Sequence, residues 1–537
     1  MAHDPVTLTV VEAGLAAAAD EMFAILRKTA MSPIIYEVLD CGTGITDATG
    51  RLVSSGAGIP TFVGALDKAV RRIVDIHGDG VRPGDVFVTN DPYFGGVTHL
   101  NDMVVAAPVF HDGACIAWAA SMAHWSDVGG AVPGSMAVNA TEIWAEGLRI
   151  PAVRLFEGGE PVVQVFDILT ANSRQPDLLR GDLWAQIAAG RRAAARITGI
   201  VDRHGRAAFD AALDAAFAQG TARALQGLAG LPPGRHDIVA EQDDTSLWRA
   251  AITIAPDALT VDLRGNPAQT ASPWNLSRDA AVIAAQMVFK ALADPSRGAN
   301  DGSFAPLTVL TDPGTVFHAL PPAPHGYYFE TRIRLFDILW QCLARAMPDR
   351  LPAGHFGTIG GVVIAGRHPD TGHPYTMVEP QMGGWGATAT RDGQDAMYSA
   401  SHGETFNCPA EIAEARFGMT IISRALSEAA GGDGLYRGGR GMTAMLSLRG
   451  TAVLSAGFSH VRVPVWGLAG GSDGGCNQMH IQRADGRVEA FGAVSGLVLH
   501  SGDIVEISTA SDGGWGKSRN QKASTMQREE QGRGHLR

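Results

Sequence analysis

Glycine is the residue that most constrains how this chain can fold. The sequence has 66 glycines among 537 residues, well above the share of about 7% in an average protein. Most of the excess lies after residue 350, in pairs such as Gly360-Gly361, Gly383-Gly384 and Gly470-Gly471. Because only glycine reaches positive φ cheaply, this clustering predicts many tight turns or close backbone approaches in the C-terminal part.

The composition is that of a globular protein with an acidic surface. The residues are 45% hydrophobic and 18% charged, and the formal net charge is -12. The length predicts two to four domains of about 100–200 residues each. Because an acidic surface repels phosphate backbones and anionic lipid, neither a nucleic acid nor a membrane is an expected partner.

The cysteines and the N-terminus indicate a cytoplasmic protein. The five cysteines are scattered and no two have the spacing C-x-x-C, which favours a reducing compartment over a disulfide framework. Acidic residues interrupt the first 30 positions, so this stretch does not resemble a signal peptide. The sequence has no run of about 18 apolar residues, so no membrane span is expected.

Hydrophobic periodicity predicts a mixed α/β (α+β) fold with several domains. Helical spacing occurs in residues 9–30, twice within 178–229, and in 278–293, 328–346 and 409–429. Apolar runs between turn residues predict strands at 85–90, 103–107, 114–118, 452–455 and 503–507, and others within 236–264. The expected units are an N-terminal domain at 1–235, a middle α+β segment at 236–345, a glycine-rich, β-heavy C-terminal domain at 346–516, and a disordered tail at 517–537.

Two polar segments in the N-terminal domain carry the residues of a candidate metal site. His99 and Asp102 are three positions apart between two predicted strands, and His124 follows the next strand. Neighbouring strand ends can bring such residues within a few ångströms of one another. Two imidazoles and a carboxylate leave open coordination positions, as hydrolytic metals require. Asp40 is a possible fourth ligand. Because all four residues lie within 1–235, this stretch is the predicted metal-binding domain.

A structural interpretation of the same residues is also open. The chain has 17 histidines, so two of them will lie near acidic residues by chance. His99 and His124 would then be hydrogen-bonded loop histidines, and Asp102 and Asp127 would be turn or capping residues.

Three other motifs predict chemistry only weakly. Ser472 lies in a G-x-S-x-G sequence, but a turn and a strand follow it, whereas a nucleophile elbow needs a helix. Residues 511–518 resemble a phosphate-binding loop, but Ser511 stands where the first glycine belongs, and no strand-loop-helix pattern surrounds them. Cys408 is a possible nucleophile, although a buried inert thiol is the favoured interpretation. The chain is therefore not expected to bind a nucleotide by itself.

An ordered series of short motifs nevertheless covers most of the chain, from about residue 4 to about residue 520. The motifs are Asp4-Pro5, Gly84-Asp85-Val86, Asn90-Asp91-Pro92-Tyr93, Gly95-Gly96, Thr98-His99-Leu100, Asp102, His124, Asp127-Val128-Gly129-Gly130, Pro133-Gly134-Ser135, Glu146-Gly147-Leu148, Asn172-Ser173-Arg174, Gly181-Asp182, Ala185-Gln186, Gly383-Gly384-Trp385-Gly386, Asn407-Cys408-Pro409, Glu411, Tyr436-Arg437-Gly438-Gly439 and Gly513-Gly514-Trp515-Gly516. With these motifs in this order, the sequence resembles the hydantoinase B family, whose relatives include the second half of 5-oxoprolinase and the larger subunits of acetone and acetophenone carboxylases.

The resemblance implies one divalent metal on the positions matching His99, Asp102 and His124, with Asp40 a better extra ligand than Asp127. This ligand set suits zinc, manganese or iron. Asp127 is the expected catalytic residue, either as a general base or by orienting a ligating histidine. The expected substrate-binding residues are Asn407, Glu411 and Arg437, each of which could equally be a structural hydrogen-bonding group.

The resemblance also implies a partner and a reaction. Family members usually work with a hydantoinase A-type chain that binds ATP, so a hetero-oligomer is expected. The implied reaction is the ATP-dependent opening of a lactam or cyclic imide, such as a hydantoin or 5-oxoproline. Two alternatives stay open: a subunit of an ATP-dependent ketone carboxylase, and a non-catalytic scaffold for an ATPase partner.

Overall fold

A computed structural model describes residues 4–96, 98–295, 298–403 and 405–518. The described chain combines helices with four β-sheets, which confirms the mixed α/β class. No helix within the described ranges is long and apolar enough to cross a membrane. Of the predicted disordered tail at 517–537, residues 519–537 lie outside the described residues.

The N-terminal part is built around one antiparallel sheet of seven strands, in the order β2-β1-β5-β4-β3-β6-β7. Its elements in chain order are α1 (Pro5–Thr29), α2 (Pro33–Tyr36), β1 (Cys41–Asp47), β2 (Leu52–Gly58), α3 (Pro60–His77), β3 (Val86–Thr89), β4 (Asp102–His111), β5 (Ala114–His124), β6 (Val153–Glu157), β7 (Glu160–Pro161), α4 (Val163–Ala171), α5 (Pro176–His204) and α6 (Arg206–Ala229).

Helices cover both faces of this sheet. Alternate residues of β5 point to opposite faces, and Ala117 and Ala119 pack with α1, α5 and α6 on one side. Trp118 and Ala120 pack with α3 on the other side. The central strands β4 and β5 are therefore mostly apolar, and their aspartate and histidines lie at the strand ends.

The sequence predicts strands and no helix between residues 31 and 177, but helix α3 lies in this region. Its signals are Pro60 in the first turn, where the missing N–H costs nothing, and buried side chains with helical spacing. These are Phe62, Ala65, Leu66, Ala69, Val70 and Ile73. The strands on either side of this helix obscure its periodicity in the sequence.

The middle part has a four-stranded sheet with two helices. It contains β8 (Gly234–Glu241), β9 (Leu247–Ile254), β10 (Leu259–Asp262), α7 (Arg278–Ala293), β11 (Leu307–Leu310) and α8 (Tyr328–Ala346), with the strand order β11-β10-β9-β8. Helices α7 and α8 have the predicted bounds. Ser277 caps α7 by accepting a hydrogen bond from the Ala280 N–H at 3.2 Å.

The C-terminal part contains two antiparallel sheets, in the orders β13-β12-β16-β19 and β14-β15-β20-β17-β18. Its elements are β12 (Val362–Arg367), β13 (Pro374–Glu379), α9 (Ala410–Arg416), β14 (Met419–Leu426), β15 (Met442–Leu448), β16 (Ala452–Gly457), β17 (Gln478–Gln482), β18 (Val488–Phe491), β19 (Ala493–Leu499) and β20 (Ile504–Ser508).

The predicted helix at 409–429 is wrong in its second half. Helix α9 ends at Arg416, and β14 follows and pairs with β15. The β-branched run Thr420-Ile421-Ile422 favours a strand, and pairing with a neighbouring strand decides the outcome.

The glycine-rich segments form a core of closely packed extended chains. A Cβ on any of seven glycines would lie 1.9–2.4 Å from the carbonyl oxygen of another segment, and none of the seven has a positive φ. Backbone hydrogen bonds join the segments, such as Gly514 N–H to Ser472 O at 2.9 Å and Ala387 N–H to Gly513 O at 3.0 Å. Close approach, rather than turn formation, is therefore why these positions need glycine. They are Gly386, Gly431, Gly438, Gly439, Gly471, Gly513 and Gly514.

A carboxyl group is buried inside this glycine-rich core. Asp512 is fully buried, and neither of its side-chain oxygens has a hydrogen-bond partner among the described residues. Burial, and then the charges of Asp337 and Asp395, raise the pKa of Asp512 well above its usual value. The neutral acid is therefore the stable form in the folded state.

Because the folded-state pKa is raised, stability present at low pH is lost as the pH rises and ionisation is forced on the buried carboxyl. Asp512→Asn removes this group, so the variant should gain stability relative to wild type as the pH increases. We expect a gain of about 1–3 kcal/mol at alkaline pH. Urea unfolding of both proteins at pH 5 and pH 8 measures it, and an equal difference at the two pH values would contradict the assignment.

Candidate metal centre

Three strand ends on the central sheet supply the candidate metal-binding residues. Asp102 begins β4 and His124 ends β5, and the two are direct partners in the antiparallel register. His99 lies in the turn before β4, which is closed by a hydrogen bond from Asp102 N–H to the His99 carbonyl at 3.0 Å. The His124 N–H donates to the carbonyl of Asp40, the residue before β1, also at 3.0 Å.

His99, Asp102 and His124 form one compact, buried group. Each offers a ligand atom, and these atoms all lie within 4.8 Å of one another. His99 Nε2 is 3.2 Å from Asp102 Oδ1, and the two imidazole centroids are 5.2 Å apart. None of the three side chains is more than 3% exposed. The spacing is that of residues able to share one ion.

Neighbouring groups hold two of these side chains in a defined orientation. His99 Nδ1 is 3.0 Å from the Gly326 carbonyl, which assigns the proton to Nδ1 and leaves Nε2 to accept. Asp102 Oδ2 accepts hydrogen bonds from the hydroxyls of Thr98 and of Tyr328, the latter at 3.2 Å. Asp102 Oδ1 therefore remains directed to the histidines.

The unpaired polar atoms at this position fit a cation. Asp102 Oδ1, His124 Nδ1 and Asp40 Oδ1 are buried without a hydrogen-bond partner within the described parts of the chain. Leaving buried polar atoms unsatisfied is costly. Carboxylate oxygens and an imidazole nitrogen are atoms that a divalent ion would satisfy. Two nitrogen donors and carboxylate oxygen suit zinc, manganese or iron.

The electrostatics favour the same interpretation. Burial raises the pKa of Asp40 well above its usual value, and the neighbouring Asp102 raises it further. Burial lowers the pKa of His124 to about 4, and His99 adds to this effect. Burial alone would lower the pKa of His99, but Asp102, the Gly326 carbonyl and Asp40 together outweigh burial, and the pKa is raised. Two carboxylates in a dry site need positive charge nearby.

A small cavity adjoins the group, with about 40 Å³ of space for water-sized molecules. Asp40 lines it together with the three grouped residues, although its carboxylate is not part of the 4.8 Å group. Strands β12 and β13 contribute Val363, Val378 and Glu379 to the walls, Gly361 lies just before β12, and α8 contributes Tyr328 and Phe329. The site therefore lies where the N-terminal sheet meets the other two parts.

The sequence analysis missed several residues at this site, above all Arg332 and His402. Arg332 is fully buried and donates to the Ser401 carbonyl at 2.9 Å, while its Nε and Nη2 have no partner among the described residues. His402 lines the cavity, and burial lowers its pKa to about 3. The sequence did contain a signal for Arg332. Helix α8 carries Glu330, Arg332, Arg334 and Asp337 within a mostly apolar segment.

Asp127, the predicted catalytic residue, does not line the cavity. Its carboxylate accepts hydrogen bonds from the N–H groups of Gly129, Gly134 and Arg174 and from the Arg174 guanidinium, at 2.9–3.1 Å. These contacts favour a role in holding the loop that follows His124. A role for Asp127 in proton transfer stays a prediction.

The three predicted substrate-binding residues lie in different surroundings. Asn407 donates to Glu379, a cavity residue, at 2.8 Å. Glu411 is exposed in the first turn of α9, and Arg437 pairs with Asp395 at 3.6 Å. Neither Glu411 nor Arg437 lines the cavity.

The weaker motifs serve structural contacts. The Ser472 hydroxyl accepts a hydrogen bond from the Asp433 N–H at 2.6 Å and donates to the Asp433 carbonyl at 3.2 Å, and no helix follows it as far as residue 518. Cys408 is buried, and burial raises the pKa of its thiol to about 12. Such a thiol is a poor nucleophile.

Comparison with known proteins places this site in a family context. Residues 4–518 match the family model described as Hydantoinase B/oxoprolinase. The chain is 30% identical to the caprolactamase subunit beta of Pseudomonas jessenii, over 87% of this chain and 82% of that protein.

Two solved structures have a similar fold. The crystal structure of the ATP-dependent caprolactamase from Pseudomonas jessenii superposes with a TM-score of 0.90 at 26% identity, covering 96% of this chain and 92% of that one. A nucleotide-free acetone carboxylase structure superposes with a TM-score of 0.87 over 96% of this chain and 76% of that one. The second similarity, at 17% identity, concerns the fold alone.

Proposed function

Because the chain belongs to the hydantoinase B/oxoprolinase family, we propose that it is the metal-binding catalytic subunit of an ATP-dependent amidohydrolase. Its substrate would be a lactam or cyclic imide, such as a hydantoin or 5-oxoproline. The observation that carries the proposal is the buried group of His99, Asp102 and His124, whose unpaired donor atoms fit a divalent ion.

A divalent ion held by these three residues would supply Lewis acidity toward a carbonyl oxygen or an attacking water. The chain's own contacts prepare the site for it. Gly326 fixes the ring of His99, and Thr98 and Tyr328 fix Asp102. Such prior positioning of ligands is what a preorganised site requires.

The surroundings of the metal centre suit a neutral cyclic substrate that is converted into an anionic product. Apolar side chains such as Met136, Phe329 and Val378 line the cavity and limit the access of water. The buried guanidinium of Arg332 lies near Asp40 and Asp102 and adds a positive charge. Opening a cyclic amide creates a carboxylate, which this charge would stabilise. Asp40 is proposed as the additional ligand.

The proposed partner is a hydantoinase A-type chain that binds ATP and activates the amide. Two observations support a division of labour between chains. The sequence lacks a clear phosphate-binding loop, and a relative with 82% coverage is named as a beta subunit. We propose that the complex is cytoplasmic, and none of the five cysteines is in a disulfide.

The decisive test combines the purified chain with a hydantoinase A-type chain, ATP, a divalent metal and a panel of lactams and cyclic imides. We expect ring-opened product and ADP in equal amounts for at least one substrate, with neither formed when either chain is omitted. The same reactions contain labelled bicarbonate and, separately, acetone and acetophenone. Label entering the product would overturn the hydrolase assignment in favour of a ketone carboxylase.

A further inference from the structure

A second, larger cavity lies between the middle sheet and the C-terminal part, with about 410 Å³ of space for water-sized molecules. It shares no lining residue with the metal centre. Glu330 lies between the two, because it accepts a hydrogen bond from Ile359 N–H, beside the metal centre, and from Ser459 N–H, beside the second cavity. A cavity of this size suits a small organic molecule.

Two buried polar side chains from α8 line this cavity with unused hydrogen-bonding capacity. Thr331 is 1% exposed, and its hydroxyl has no partner within the described residues. Arg334 is 7% exposed; its Nη1 donates to Asp337 at 2.6 Å and its Nε to Gln242 at 3.2 Å. Nη1 also contacts His460 Nε2, and the guanidinium's hydrogen bonds to described residues come from Nε and Nη1, so none involves Nη2. A hydroxyl and a guanidinium nitrogen, one helical turn apart, can together donate to a carboxylate.

Aromatic side chains provide the apolar walls. Trp248, Trp274 and Phe458 line the cavity. Trp274 stacks on Tyr327 with ring centroids 5.4 Å apart, and Trp248 packs edge-on against Phe317 at 5.1 Å. These contacts hold the two indoles in place, so the walls are ready to receive an aliphatic chain without reordering.

The negative charge of the cavity is closer to solvent than its positive charge. Asp244 is exposed and Asp243 is half-buried, whereas Arg334 is buried. Asp243 accepts hydrogen bonds from the N–H groups of Val461, Arg462 and Val463 at 2.9–3.1 Å, which fixes its carboxylate. The donors that line the cavity are therefore buried, its acidic groups are closer to solvent, and aromatic side chains supply its apolar walls.

We infer that this cavity binds a small amino carboxylate. The carboxylate accepts hydrogen bonds from Thr331 and Arg334, the methylene chain lies against Trp248 and Trp274, and the ammonium group lies toward Asp243 and Asp244. This binding does not rest on the proposed reaction. If that reaction opens a lactam, its product is an amino carboxylate of the same class, and the cavity is a product site separate from the metal centre.

The test is calorimetric titration of the purified full-length chain with 6-aminohexanoate, with hexylamine and hexanoate as comparison ligands. We expect one binding site for 6-aminohexanoate, and weaker binding of each comparison ligand, because each lacks one charged end. Thr331→Val removes only the unpaired hydroxyl, so the protein should stay folded while binding weakens about tenfold. The matched control, Thr253→Val, changes an exposed threonine of β9 and should bind as wild type does.

A His99→Ala, His124→Ala double variant separates this site from the metal centre. Unchanged binding of 6-aminohexanoate in that variant is expected, whatever happens to metal binding or ring opening. The inference is overturned if binding is lost in the double variant, if Thr331→Val binds as tightly as wild type, if hexylamine or hexanoate binds as tightly as 6-aminohexanoate, or if no binding is seen at about 10 mM ligand.

Discussion

A chain in which both His99 and His124 are replaced by alanine is expected to lose its metal and at least about a thousandfold of its ATP-dependent ring-opening rate. The reason is the composition of the site. The substitutions remove both nitrogen donors, and the carboxylates that remain, Asp102 and the proposed extra ligand Asp40, are too few to hold a transition metal tightly. The measurements are elemental analysis of bound metal per chain and product formation by the same preparations with ATP and the partner.

Two further variants make this result interpretable. His111→Ala with His373→Ala removes two histidines outside the site and should keep both metal and activity. Asp102→Asn keeps the shape of the side chain but weakens the ligand, and should lower metal content without unfolding the chain. Full metal content in the His99→Ala, His124→Ala variant would refute the ligand assignment. Loss of metal with undiminished ring opening would instead support a non-catalytic scaffold.

Gly438→Ala is expected to destabilise the chain by about 3 kcal/mol or more. The new Cβ would lie 1.9 Å from the carbonyl oxygen of Asp512. That carbonyl also accepts a hydrogen bond from Gly432 N–H at 2.7 Å. Because the obstacle is backbone held by another segment, no side-chain rotation can relieve the clash. Urea unfolding, or the yield of folded protein if the variant does not accumulate, measures the effect.

Gly450→Ala is the matched control for this prediction. Its nearest neighbours to an added Cβ are 3.9 and 4.0 Å away, and its φ is not positive. We expect a change within about 0.5 kcal/mol, because a new methyl group fits there and also restricts the unfolded chain. Similar effects of the two substitutions would show that the glycine-rich segments are less closely packed than described.

The α/β class and most helix positions followed from periodicity in the sequence. Helices α7 and α8 were predicted at their bounds, because each presents an apolar face of the correct spacing, and α7 has the additional signal of Ser277. The second half of the predicted helix at 409–429 failed where β-branched residues pair with β15. Pairing between distant strands leaves little trace in a local window.

The candidate site was partly visible in the sequence. Polar residues that follow apolar strands indicated His99, Asp102 and His124, and the structure brings these three together. Arg332 and His402 were not identified, because they come from α8 and from a loop more than 200 residues farther along the chain. Burial of a charged residue depends on what packs around it, and this is a property of the assembled parts.

The sequence by itself determined the alternation of strands and helices, the residue types of the candidate metal site and the need for tight turns or close backbone approaches in the C-terminal part. These depend on local periodicity and on the chemistry of individual side chains. Only the tertiary structure decided which glycine segments pack together, that α8 carries buried charges between two cavities, and that Thr331 and Arg334 have unused donors. Each of these depends on contacts between residues far apart in the chain, which no local pattern specifies.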